Sequence, residues 1–214
     1  NRIKQYLLAA SMCVGLTACS DFFEPIPGVQ FGLDETFASK QRTEEYLNNV
    51  YSYVREVTDA INPNTYGGIF TEASLDGANR WNKTYAEWTN GSFNSASAQA
   101  SEYFSKYYQA IAKASTFIQN VDKCTEAAAS TRGKWKSEAR ALRAYYYFEL
   151  LRLYGPIPLI GEDPIPLDAS LEELIKERNS VDECVNFIAT ELQSAIDSGD
   201  LLQRAGKANL GRMD

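Results

Sequence analysis

The chain has 214 residues, 44% hydrophobic and 23% charged, enough apolar material for one sizeable folded domain rather than a disordered segment. Its formal net charge of −7 sets nucleic acid aside as a partner, because phosphate binding needs a basic face. It has no histidine, which removes imidazole acid/base chemistry, Ser-His-Asp triads and the commonest metal ligand together.

In chain order, Arg2 and Lys4 precede an uncharged, largely apolar run over residues 6–16, which leads into Leu16-Thr17-Ala18-Cys19. A basic start, an apolar middle and small residues before a cleavage point make the layout of an export signal. The run is shorter than the roughly 20 residues that a membrane-spanning helix requires. Residues 16–19 resemble a bacterial lipobox. Residues 1–18 therefore read as a lipoprotein signal peptide and Cys19 as the lipidation site, with acyl chains such as palmitate holding the protein to the membrane. Cleavage removes Arg2 and Lys4 but no acidic residue, taking the net charge from −7 to −9. Residues 19–42 read as an acylated tether and N-terminal linker, since Pro25, Pro27 and Gly28 interrupt any regular element near its start.

The rest of the chain carries helical periodicity. Over residues 43–57, apolar positions fall at Tyr46, Leu47, Val50, Tyr51, Val54 and Val57, spaced by threes and fours. Phe104, Tyr107, Tyr108, Ile111, Ser115, Ile118 and Val121 make a second stripe over residues 101–122, with alanines at 110, 112 and 114 permitting close packing. A third helix is predicted over residues 134–154, with Trp135, Ala139, Leu142, Tyr146, Leu150 and Leu153 on one face and Gly155-Pro156 as its stop. The consecutive rings Tyr145, Tyr146, Tyr147 and Phe148 cover all sides of this helix and read as core. Its charges, Arg140 with Glu138 and Arg143 with Glu149, read as surface pairs of small value, with Arg152 beside them. A fourth helix opens at Ser180, where Glu183 completes a capping box; it carries Val181, Val185, Ile188, Leu192 and Ile196 and ends near Ser198-Gly199. The fold class is all-α, as a bundle or as tetratricopeptide-like helix pairs with long irregular loops; no strict 34-residue register is present. Cys13 leaves with the signal and Cys19 is acylated, so Cys124 and Cys184 alone are candidates for a disulfide, which their spacing does not decide.

Residues 62–100 form a connection far longer than usual, and long loops commonly carry function. Trp81, Tyr85, Trp88 and Phe93 are interleaved there with Asp76, Asn79, Arg80, Asn82 and Asn90. A pyranose wants that mixture: its CH face stacks on a ring, and its hydroxyls bond to amides, carboxylates or guanidinium groups. The candidate ligand-binding residues are Trp81, Trp88, Arg80, Asn82 and Tyr85, unless the rings only pin the loop to the helices. Asp76 and Glu87 are of the type found in glycosidases, but no nucleophile–base pattern accompanies them, so no enzyme is expected. No cofactor or metal site is expected.

From Glu138 to Leu159 the sequence contains Ala-Arg-Ala-Leu-Arg-Ala, then Tyr-Tyr-Tyr-Phe, then Leu-Tyr-Gly-Pro-Ile-Pro-Leu. This stretch resembles the signature of the SusD/RagB family, outer-membrane nutrient-binding lipoproteins of Bacteroidota. Tyr107-Tyr108-Gln109-Ala110-Ile111 resembles the family's preceding helix, although Ser115-Thr116 stands where the family usually has Asn. Residues 180–192 and Gly206-Lys207-Ala208-Asn209 resemble later segments. The resemblance implies a helical lid over a SusC-like TonB-dependent transporter, capturing oligosaccharides, polysaccharides or other nutrients without catalysis. It places residues 43–214 as a SusD-like N-terminal helical domain, with the family's C-terminal part absent. Ser20, Asp21 and Glu24 resemble the acidic tethers that accompany surface exposure, giving an expected location at the cell outer membrane. A tetratricopeptide-type scaffold lipoprotein that binds only proteins is the alternative, and a surface glycoside hydrolase a more distant one.

Overall fold

A computed structural model describes residues 32–54, 87, 90–160, 170, 175–201 and 211–213. Among them the regular elements are helical, as the periodicity predicts. The candidate site residues Trp81, Trp88, Arg80, Asn82 and Tyr85, and the lipidation residue Cys19, lie outside the described residues.

Helix α1, Leu33–Ala38, buries Phe37, and α2, Lys40–Tyr51, buries Thr43, Leu47 and Val50 at helical spacing. Thr43 welds the two, its hydroxyl donating to Ser39 O at 2.8 Å and Thr36 O at 3.3 Å. Among the described residues, helical structure is therefore already present at Leu33, inside the stretch read as linker. Six residues with a single buried side chain give too little periodicity to stand out in sequence.

Helix α3, Ala98–Asn120, is about 34 Å long at 1.5 Å per residue and closes in a 3-10 turn, Val121–Lys123. Helix α4, Ala129–Tyr154, starts five residues before the predicted 134. It lies between α3 and α5, Val181–Asp197, and is buried on nearly every side, including the consecutive positions 137–139 and 141–144. The neighbours settle what sits where. Tyr107 of α3 stacks on Tyr146 of α4 at 6.0 Å, and Tyr147 meets Phe187 of α5 edge-on at 5.1 Å. Leu142 and Leu150 are fully buried. Phe148 departs from the core reading. It is 47% exposed on the α5 side, with Arg152 over its ring.

Gly155 ends α4 at φ 67°, a conformation costly for side chains with a Cβ, and its N–H still bonds to Leu151 O at 2.9 Å. Helix α5 opens on the predicted capping box: Glu183 N donates to Ser180 Oγ at 3.2 Å, and Ser180 N donates to Glu183 Oε2 at 2.7 Å. Its inner face differs from the predicted stripe. Cys184, Ile188, Glu191 and Ala195 are buried against α4, whereas Val181, Val185, Leu192 and Ile196 are exposed. Cys124 and Cys184 are both buried and free, so they form no disulfide.

Candidate functional site

The polar groups of α4 were predicted to pair on its surface. Residues two or six apart point to different sides of a helix and do not face one another, and the structure pairs these groups elsewhere. Arg143 is fully buried. Its Nε donates to Glu191 Oε2 of α5 at 2.8 Å, its Nη2 to the same oxygen, and its Nη1 to Ser115 Oγ of α3 at 3.1 Å. Arg140 Nη1 donates to the other Glu191 oxygen at 3.1 Å. The Arg143 guanidinium also lies 5.9 Å from the Phe187 ring centre. One buried guanidinium, that of Arg143 on α4, thus ties all three long helices. Glu149 is held by Arg152, three residues on, instead of by Arg143.

Glu138, also fully buried, forms a second knot. Its Oε2 accepts from Tyr51 Oη at 2.9 Å and from Arg212 Nη1 at 2.8 Å. Its Oε1 accepts no hydrogen bond and faces Lys134 Nζ at 3.8 Å. Arg212 reaches on to Glu44 at 2.8 Å, and Met213 N donates to Tyr51 Oη at 3.0 Å. The far C-terminal residues are thereby fastened to α2 and α4. Burial is the main cause that pushes the Tyr51 pKa above its usual value, so the phenol stays protonated and donates to Glu138.

The tyrosines of the sequence signature clamp the chain after Gly155. Tyr108 Oη donates to Pro158 O at 2.7 Å, and Tyr147 Oη donates to Ile160 O at 2.7 Å while accepting from Ile160 N at 3.1 Å. Asn179 completes the hold, accepting from Leu159 N at 2.9 Å and donating its own N–H to Ile157 O at 3.0 Å. A proline-rich stretch cannot satisfy its backbone in a ladder, so these side chains serve it instead. Burial raises the pKa of Tyr108 and Tyr147, as it does that of Tyr146, whose hydroxyl donates to Val50 O. These phenols are scaffold.

The predicted ligand loop joins this frame at the N-terminal end of α3. Asn90 Oδ1 accepts from Ser92 N at 2.9 Å and Asn94 Oδ1 from Ala96 N at 2.9 Å, two local turns that lead into Ser97, the residue before α3. Phe104 and Tyr108, near that end, pack with Tyr154 at the end of α4, Phe104 lying 4.6 Å from Tyr108 and 5.4 Å from Tyr154. Among the described residues, no three His, Cys, Asp or Glu side chains gather as a metal site, and no helix is long and apolar enough to cross a membrane.

The fold and its clamps define an all-α helical frame. The sequence profile of the SusD-like family, described as starch-binding and associating with the outer membrane, matches residues 29–200, and the chain belongs to this family. A SusD-like protein of Bacteroides ovatus is 30% identical over 129 residues, 57% of this chain and 23% of that protein. The crystal structure of a SusD-like protein from Bacteroides fragilis superposes with a TM-score of 0.68 at 20% identity, over 86% of this chain and 34% of that one. Surface glycan-binding protein A from Bacteroides thetaiotaomicron, in complex with laminarihexaose, gives a TM-score of 0.62 at 15% identity, over 82% of this chain and 36% of that one. The chain thus spans about a quarter to a third of the length of these proteins.

Proposed function

We propose that this chain is the N-terminal helical part of a lipid-anchored outer-membrane protein that captures glycans at the cell surface. It passes them to a SusC-like TonB-dependent transporter without cleaving them. The observation that carries this reading is the family match over residues 29–200, whose description is starch-binding and associating with the outer membrane. A structural neighbour holding laminarihexaose adds weight to a glycan as the ligand class. In this reading Cys19 carries the lipid, Trp81, Trp88 and Tyr85 offer ring faces, and Arg80 and Asn82 bond to sugar hydroxyls.

The test is a panel of polysaccharides presented to the polypeptide with its natural continuation, combined with affinity capture from outer membranes. Binding without released reducing sugar, together with recovery of a TonB-dependent barrel, is the expected result. Recovery of another envelope protein with no glycan bound would replace the proposal with a protein-binding scaffold, and released reducing sugar would make the protein a hydrolase. Anchoring has its own check: labelled palmitate enters the wild type and is absent from Cys19→Ala, which becomes soluble.

A further inference from the structure

The knot around Glu138 brings three distant parts of the chain, α2, α4 and residues 211–213, to one side of α2. Glu44 and Tyr51 stand seven residues apart on that helix, about two turns, and so share a side. Arg212 reaches this side from residues 211–213. Its Nη2 donates to Glu44 Oε1 at 2.8 Å, its Nη1 donates to Glu138 Oε2 of α4 at 2.8 Å, and its guanidinium carbon lies 5.8 Å from the Tyr51 ring centre. The Arg212 side chain is 17% exposed and that of Glu138 not at all, so this pair sits largely away from water, where its bonds are stronger than at the surface. Tyr51 Oη joins the two segments, donating to Glu138 Oε2 at 2.9 Å and accepting from Met213 N at 3.0 Å.

What the knot holds is the exit of α2. That helix has 12 residues, short enough to depend on tertiary contacts more than on its own hydrogen bonds. It buries Thr43, Leu47 and Val50, and Tyr146 Oη of α4 donates to Val50 O. Past Val50 the backbone is closed by local bonds: Ser52 N to Asn48 O at 3.0 Å, Tyr53 N to Val50 O at 3.3 Å and Val54 N to Tyr51 O at 2.9 Å. Such terminal bonds fray readily unless the turn is tied to something else, and Tyr51 ties this turn to α4 and to residues 211–213. We propose that Arg212 is a positioning residue: through Glu138, Glu44 and Tyr51 it fixes the last turn of α2, and with it the direction in which the chain leaves Val54 toward Trp81 and its neighbours. The consequence for Trp81 and its neighbours rests on the proposed glycan function.

Hydrogen exchange on the polypeptide with its natural continuation tests this, comparing wild type with Arg212→Met, Arg212→Lys, Tyr51→Phe and Arg143→Met. The last is a control that breaks the buried ion pair between α4 and α5 without touching the knot. In Arg212→Met, exchange in a peptide covering residues 48–54 should be at least about tenfold faster, with α5 unchanged. Arg212→Lys should recover part of the protection, because it returns the charge without the planar fork. Tyr51→Phe should give the same local loss, and combining it with Arg212→Met should add little, since both break one knot. Exchange at residues 48–54 equal to wild type overturns the proposal, as does a rise spread over all helices as in Arg143→Met, or effects of the two substitutions that simply add. If Arg212→Met fails to fold, Glu44→Gln, at a half-exposed position that meets Arg212, takes its place with the same local loss expected. The second readout is Kd for the best glycan of the panel, expected to rise about tenfold in Arg212→Met and to stay at the wild-type value in Arg143→Met. An unchanged Kd beside faster exchange at residues 48–54 overturns the positioning of the ligand segment. A wild type that binds no glycan removes the glycan function instead, and the exchange result then decides the fastening of α2 by itself.

Discussion

Arg143 shows what a single residue contributes when it is read in place. A surface pair is worth about 0–1 kcal/mol, whereas removing one partner of a buried, hydrogen-bonded pair costs about 3–5 kcal/mol because the other charge is left uncompensated. Arg143→Met should therefore destabilise the protein by about 3 kcal/mol in urea unfolding, with the low end favoured because Arg140 still neutralises Glu191. Combining it with Glu191→Leu should restore part of the loss, and strictly additive effects would mean that the pair acts as two independent surface charges. The tyrosines make a second residue-scale prediction, at alkaline pH. Tyr51, Tyr108, Tyr146 and Tyr147 all have folded pKa values raised above 10.0, mainly by burial. Below that value both folded and unfolded forms are neutral, and the contribution to stability is fully present. As the pH rises from 10.0 through the folded values, only the unfolded chain ionises readily, so stability falls. Tyrosinate absorbance from these four rings should thus appear together with loss of helical circular dichroism; its appearance in a fully helical protein would contradict their burial.

At the scale of the element, local signals were legible and distant ones were not. The capping box at Ser180 and Glu183 and the stop at Gly155-Pro156 depend on residues within a few positions of each other, and both are present as read. Glu183 carries a further prediction. The Ser180 backbone N–H, then the Ser180 hydroxyl and the Asn179 amide, lower its pKa from 4.5. A depressed folded value means that the contribution is present above the unfolded pKa and is lost as pH falls from 4.5 through the lower folded value. Glu183→Gln should flatten that part of the stability–pH curve, which thermal unfolding across the acidic range would record. The inner face of α5 was misread because its largest apolar residues, Val185, Leu192 and Ile196, lie on the uncovered side, whereas a glutamate lies on the covered one. Nothing in a window around residue 191 says that two arginines 51 and 48 residues earlier will neutralise it. Helix α4 reads in sequence as a one-sided stripe with a stop signal, whereas the structure buries it on nearly every side, because neighbours wrap it.

For the molecule as a whole, the fold class and family were legible because the signature from Glu138 to Leu159 encodes a cooperative device: a buried helix, a glycine exit and a clamped proline-rich segment. Each part of it is present, through Tyr146, Gly155 and the bonds from Tyr108 and Tyr147. The proposed ligand surface is a reading of composition alone, since a segment's ring and amide content states what it can bind without stating where each group sits. The frame makes that reading testable. The described end of the connection from α2 to α3 consists of the local turns at Asn90 and Asn94, which lead into α3. Trp81→Ala, and secondarily Trp88→Ala, should weaken glycan binding by the polypeptide with its natural continuation. Stacking on a ring is worth about 1–2 kcal/mol, which corresponds to roughly a tenfold rise in Kd. The melting temperature should stay within a degree or so of wild type, and the affinity loss should be read by calorimetry with the best ligand from the polysaccharide panel. A drop of several degrees with unchanged affinity would assign both rings to anchoring the loop. Arg80→Ala and Asn82→Ala separate the two roles further: hydroxyl-binding groups lost from a sugar site raise Kd without touching stability, whereas the same substitutions in a purely structural loop leave Kd where it was.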